Sequence, residues 1–258
     1  GESQASQFVG SFGLRIRTML GHLRMRSVVG PTEESETLEG WLNDYLSSSD
    51  TEGPSIVVVD LSLVPTALMH VVSAVISRVM FESLQRFRRA RGHELPTVLV
   101  VDEAHHFVHR YAGKEAGATE AAILCRETIE TIAREGRKFG LGLLLSSQRP
   151  SEVSPTVLSQ CNTFLLHRIV NDRDQELVQR LVPDNLGKML DDLPSLPTQH
   201  AILVGWATAI PILVRVRDLA EHHRPQSRDP HFWATWVGSE DRPVNWADIA
   251  RDWQGQAD

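Results

Sequence analysis

Four apolar residues in a row, Val98-Leu99-Val100-Val101, run straight into two carboxylates, Asp102 and Glu103. A strand that faces water on one side alternates apolar and polar residues, whereas one that is apolar throughout belongs inside a parallel sheet covered by helices. Four more runs have this texture: Ile56 to Val59, Leu141 to Leu145, Phe164 to Leu166 and Ala201 to Val204. Most are separated by helical stretches, expected from Pro65 to about Arg91, Thr119 to about Phe139, Val153 to Gln160, Asp172 to Leu181 and Asn185 to Leu190. Thr208 to Arg217 reads as a last pair of edge strands, where Pro211 is tolerable. The pattern predicts an α/β fold, a mainly parallel, doubly wound sheet with helices on both faces. Ligands should lie in the crevice at the carboxyl ends of its strands.

Composition narrows the class. The chain has 258 residues, 41% of them apolar and 23% charged, with 17 Gly and 13 Pro, which excludes disordered, collagenous and low-complexity chains. No apolar run reaches the roughly 18 residues of a membrane span, and the start Gly-Glu-Ser-Gln lacks a signal-peptide signature. The expectation is a cytoplasmic protein with no membrane partner. Cys125 and Cys161 make no disulfide framework and no C-x-x-C pair, so they read as buried free thiols. A formal charge of −7 argues against wholesale coating by nucleic acid but leaves room for a local basic surface. The chain does not begin with Met, and a fragment of a longer protein is expected.

Three segments are expected. Residues 1–50 form a helical segment with apolar positions Phe8, Phe12, Ile16, Leu20 and Leu23, then Leu38, Trp41, Leu42, Tyr45 and Leu46. Residues 51–218 form the α/β core. Residues 219–258 form a tail broken by Pro225, Pro230 and Pro243, and it holds four of the six tryptophans, Trp233, Trp236, Trp246 and Trp253. Such a tail straps either its own domain or a neighbouring subunit through aromatic anchors.

Paired acids after a central strand suit nucleotide chemistry. In phosphoryl-transfer sites of this layout the first acid helps hold Mg²⁺ and the second can act as general base on the attacking water. The plain alternative is a strand ending in a turn that Asp102 caps. A second strand, Leu141 to Leu145, ends in Ser146-Ser147-Gln148-Arg149-Pro150 at the same expected edge, and a glutamine there can bond a γ-phosphate or the attacking water. Its alternative is a loop amide facing solvent. Arg134 and Arg137, in Ala133-Arg134-Glu135-Gly136-Arg137-Lys138-Phe139-Gly140, are either favourable charges at a helix C-terminus or an arginine finger, offered to a nucleotide in the same or the next subunit. His105, His106 and His109 do not form H-E-x-x-H, and a zinc site is rejected in favour of a solvated or core-edge role. Gln85 to Arg91 is a basic run expected at the amino edge.

Together these segments resemble the HerA branch of the HerA and FtsK superfamily of ring-forming, RecA-like DNA-translocating ATPases. The matching residues are Asp60-Leu61-Ser62, Val98 to His105 as the Walker B strand, Ala133 to Gly140, Ser147 to Val153, Leu158 to Thr163 and Asn171-Asp172-Arg173-Asp174. They run in family order from about residue 55 to 216. The resemblance implies ATP and Mg²⁺ as cofactors, with Asp102 on the Mg²⁺ side, Glu103 as the acid that activates water and Gln148 as the γ-phosphate sensor. It leaves Arg134 and Arg137 as equal candidates for the finger. It also implies a homo-oligomer, a hexameric ring with nucleotide between subunits, acting on duplex DNA. A nuclease or other effector partner is expected, in DNA end processing or defence against phage. Arg110 and Lys114, in the loop after the Walker B strand, are the expected DNA contacts.

The sequence departs from the family at the phosphate loop. Its lysines, Lys114, Lys138 and Lys188, all lack the G-x-x-x-x-G-K-[ST] context of a Walker A loop. The expectation is that this loop lies upstream in the parent protein. The competing expectation is a non-hydrolysing ring component that scaffolds an effector.

Overall fold

The structure, a computed structural model, describes residues 37–46, 56–62, 64–111, 118–181, 190–220, 223, 233, 236–237 and 245–253. The helical pattern over Phe8 to Leu23, the helix expected from Asn185 and Lys114 lie outside them. Two units are distinguished, residues 1–214 and 215–258.

In the first unit a short helix α1, Leu38–Leu46, precedes a long helix α2, Thr66–Arg91. Gly92 ends α2 in the left-handed conformation, its N–H bonding the Arg88 carbonyl at 2.8 Å. Strand β1, Thr97–Val101, follows. Helix α3, Glu120–Glu135, begins at Thr119, whose hydroxyl accepts the Ala122 N–H at 3.2 Å, and runs through a 3-10 turn, Gly136–Phe139, into strand β2, Leu141–Leu145. β1 and β2 pair in parallel, in register from Thr97 opposite Leu141 to Val101 opposite Leu145.

Helices α2 and α3 pack on one face of this pair. Leu84, Ile132 and Leu141 bury with Met80 and Phe81 near the amino end, while Ala74, Val108, Cys125, Ile129 and Val157 bury near the carboxyl end. Leu99, Leu143 and Leu145 pack against these clusters. On the other face Val98 is 63% exposed, Val100 59% and Leu144 51%. The expectation of helices on both faces is therefore corrected for the described residues, which cover one face of β1 and β2.

The remaining apolar runs also depart from expectation. Ile56 to Val59 is extended but unpaired among the described residues, and Ile56 and Val58 are more than four-fifths exposed. A strand needs a neighbour to take its peptide groups, and none of the described strands serves. Strand β3, Thr163–Leu166, pairs antiparallel with β4, His200–Gly205, in a separate three-stranded sheet of order β3-β4-β5, where β5 is Ile212–Arg215. The helix expected over Val153 to Gln160 is a single turn α4, Pro155–Leu158, and the one expected from Asp172 is α5, Asp172–Leu181. Val178 of α5 packs with Leu166, Leu193, Leu196, Ile202 and Val204 into a core of its own.

In the second unit a helix α6, Trp246–Trp253, starts at Asn245, whose Oδ1 accepts the Ala247 N–H. Trp233, Trp236 and Trp246 are each more than 70% exposed.

Candidate functional site

The site grows from the point where β1 and β2 stop. Their ladder continues beyond the strands, Ser146 N–H donating to the Val101 carbonyl at 3.0 Å and Ala104 N–H to the Ser146 carbonyl at 2.8 Å. Between those bonds the chain carries one residue more than a regular parallel ladder, and Glu103 takes up the extra length in the left-handed region, at φ 46° and ψ 47°. A glutamate there costs about 1–3 kcal/mol and persists where the surroundings over-determine it. Here the Asp102 carboxylate accepts the Glu103 N–H at 3.0 Å, and the 3-10 turn Ala104–His106 follows. Ala104 is fully buried, which fixes the turn from below.

The two loops beyond the strands are stitched together. Ser154 N–H donates to the Val108 carbonyl at 2.8 Å, Arg110 N–H to the Glu152 carbonyl at 2.7 Å, and His109 bridges Val153 in antiparallel fashion. A third element anchors the second loop. Asn171 caps α5 by accepting the N–H groups of Arg173 and Asp174, and the buried Asp174 accepts the Ser151 N–H at 2.8 Å. The polar run Asn171-Asp172-Arg173-Asp174 thus holds the Gln148 loop.

This frame brings Glu103 and Gln148 together. The Gln148 amide donates to Glu103 Oε1 at 2.5 Å, while Glu103 Oε2 is buried with no hydrogen-bond partner among the described residues. Its neighbour is His105, whose Nδ1 lies 3.4 Å from Oε2 and 3.1 Å from the Ser147 hydroxyl. His105 is 8% exposed, and its burial, with help from the adjacent His106, holds its pKa below the usual imidazole value. The sequence offers this histidine only as a solvated or core-edge residue, with no link to Glu103, and does not offer Ser147. The only signal was position, His105 two residues past the acid and Ser147 next to the glutamine.

Asp102 sits at the same edge but is exposed, and its carboxylate engages the next peptide rather than capping the following turn. Mg²⁺ in nucleotide sites is held by one or two carboxylates together with phosphates and water, and Asp102 offers one such group, open to solvent. Among the described residues no cluster of three or more His, Cys, Asp or Glu could hold a metal ion.

Arg134 and Arg137 lie at the other end. They precede β2, so they stand at the amino edge of the pair, a full strand length of about 16 Å from Glu103. Arg134 bonds Thr131 at 3.4 Å and lies 4.0 Å from Glu130, both within its own helix, and both arginines are exposed. Arg110 is pinned rather than loose: its guanidinium donates to the Ser151 carbonyl at 3.3 Å and lies over the Tyr111 ring.

No family model matches the chain. A probable helicase of Methanocaldococcus jannaschii is 42% identical over 125 residues, 48% of this chain and 22% of that protein. The DNA double-strand break repair helicase HerA of Pyrococcus furiosus is 41% identical over 126 residues, 49% of this chain and 21% of that protein. HerA of Sulfolobus acidocaldarius is 29% identical over 199 residues, 76% of this chain and 38% of that protein. The chain thus spans between about a fifth and two-fifths of the length of these relatives. Among solved structures, VirB4 of Thermoanaerobacter pseudethanolicus aligns over 63% of this chain and 40% of its own at 18% identity, with a TM-score of 0.44, too loose to carry an argument. Among the described residues no helix is long and apolar enough to cross a membrane. These sequence matches support a HerA-type ATPase.

Proposed function

We propose that this chain carries the water-activating half of an ATP hydrolysis site in a RecA-like motor subunit that acts on duplex DNA. The observation that carries the reading is the junction of Glu103 and Gln148 at the carboxyl edge of a parallel pair, bonded at 2.5 Å, with the acid held in a strained conformation. Glu103 takes the proton of the water that attacks the γ-phosphate, and ADP and phosphate leave. Gln148 is exposed and is free to turn its amide toward that phosphate or water. Asp102 would hold Mg²⁺, which would neutralise the charge that develops on the phosphates.

The position of Arg134 and Arg137 favours a ring. Lying at the opposite edge from Glu103, they reach a γ-phosphate in a neighbouring subunit's site more readily than one in their own. A hexamer with nucleotide at each junction uses both edges. Arg110 and Lys114 are proposed to face DNA, with a nuclease or other effector as the partner in end processing or phage defence.

The test is ATP turnover by the full-length natural protein, with and without duplex DNA. Turnover stimulated by DNA is expected, and Glu103→Gln should lower it about 10²–10⁴-fold while ATP binding survives. Ring assembly without turnover in the unaltered protein would leave a component that scaffolds an effector, and normal turnover in Glu103→Gln would remove Glu103 from the reaction.

A further inference from the structure

We propose that His105 and Ser147 form a holder for the Glu103 carboxylate, with His105 a positioning residue that donates from Nδ1 and keeps the acid aimed when Gln148 turns away. The proposal rests on the reading of Glu103 as the water-activating acid.

Three observations carry it. Glu103 Oε2 is buried and has no hydrogen-bond partner among the described residues, an arrangement that folded proteins seldom leave uncorrected. His105 Nδ1 lies 3.4 Å from that oxygen, within a small ring rotation of a hydrogen bond. The same Nδ1 lies 3.1 Å from the Ser147 hydroxyl oxygen, which also accepts the Arg149 N–H at 3.1 Å. A bare lone pair on Nδ1 would face a carboxylate, so the neighbourhood selects the tautomer with hydrogen on Nδ1. That N–H sits between two acceptors, the Ser147 hydroxyl and Glu103 Oε2.

The geometry has a consequence for Gln148. Its amide is the hydrogen-bond donor on Glu103 Oε1, and the same amide is the group proposed to meet the γ-phosphate. When it leaves, the acid loses the only side-chain hydrogen bond it has among the described residues, and in a strained backbone an unheld carboxylate swings away from the water it must deprotonate. His105 closes on Oε2 at that moment, and Ser147, next to Gln148 in sequence, links the two movements. The packing of His105 against His106, ring centroids 4.2 Å apart, holds the imidazole near this path.

The experiment compares two substitutions of similar polarity at the same buried position. In His105→Asn the side-chain amide nitrogen falls where Nδ1 was, whereas in His105→Gln the donor is displaced beyond it. In the full-length natural protein His105→Gln should lower kcat about 10–100-fold with KM for ATP unchanged, and His105→Asn should recover most of the loss. Equal losses in both variants, or a change confined to KM, would overturn the holder. An independent reading comes from the chain labelled with ¹⁵N-histidine, in which His105 should show hydrogen on Nδ1 and its resonances should shift on Ser147→Ala and on Glu103→Gln. Hydrogen on Nε2 instead would also overturn it. If the unaltered protein shows no turnover, the hydrolytic reading fails, and the tautomer and its response to Glu103→Gln then decide alone whether His105 holds the acid.

Discussion

The two ends of one parallel strand pair are built on opposite principles. At the carboxyl end of β1 and β2, polar side chains bond one another across the sheet, Glu103 sits in a left-handed conformation, and one of its oxygens is buried without a hydrogen-bond partner among the described residues. At the amino end the polar groups are relaxed. Arg88 pairs with Glu94 at 3.3 Å, bonds the Lys138 carbonyl and lies over the Phe139 ring, while Arg134 and Arg137 extend into solvent. Strain is tolerated where chemistry is proposed, and cations project where a neighbour is proposed.

The sharpest way to break this contrast is to separate the two edges onto different subunits. A variant carrying both Arg134→Ala and Arg137→Ala should lose about 10³–10⁵ in turnover if either supplies the finger, and Glu103→Gln is inactive for a different reason. Mixed in one ring, the two inactive forms should regain partial turnover, because some junctions then combine an intact acid with an intact arginine. Mixtures as inactive as their parents, with ring assembly confirmed, would place both functions within one subunit and undo the assignment of the edges.

The contrast also explains what could be read beforehand. Val98 to Val101 and Leu141 to Leu145 were legible because an unbroken apolar run followed by polar residues fixes both the strand and the edge at which its chemistry falls. Direction was not legible. Phe164 to Leu166 and Ala201 to Val204 look the same in sequence, yet they pair antiparallel in a second sheet, since apolar texture reports extended chain and not which neighbour a strand takes. Ile56 to Val59 had equal texture and no described partner. His105 was legible only as a histidine near acids; its role needed the distances to Ser147 and Glu103, which bring together residues 42 and 2 positions apart.

A smaller effect sharpens the amino edge as a structural one. Gly140 has φ 78°, and a methyl group there would lie 2.8 Å from Glu94 Cβ and 3.0 Å from the Leu95 carbonyl oxygen. Gly140→Ala should cost about 1–3 kcal/mol in chemical denaturation while leaving nucleotide affinity per folded molecule unchanged. Gly142, two residues on, has its nearest neighbour at 3.6 Å, so Gly142→Ala should be near neutral or stabilising. Loss of nucleotide binding in folded Gly140→Ala would tie the amino edge to the site and blur the contrast.

The smallest expected effect comes from the ground between the two edges. Cys125 of α3 is fully buried against Val108 and Ile129, and burial pushes its thiol up to about 12. Burial also raises Cys161. An unfolded thiol gives up its proton near its ordinary value of about 8.5, and the folded one does not until far higher. Between those values the unfolded state binds fewer protons than the folded state, so stability is complete below about 8.5 and falls as pH rises toward about 12. Denaturation midpoints should decline in that alkaline window, and Cys125→Ala should flatten the decline, leaving the part due to Cys161. An unchanged slope in Cys125→Ala would mean that the thiol reaches water, and that the layer joining the reactive edge to the relaxed one opens more readily than its packing implies.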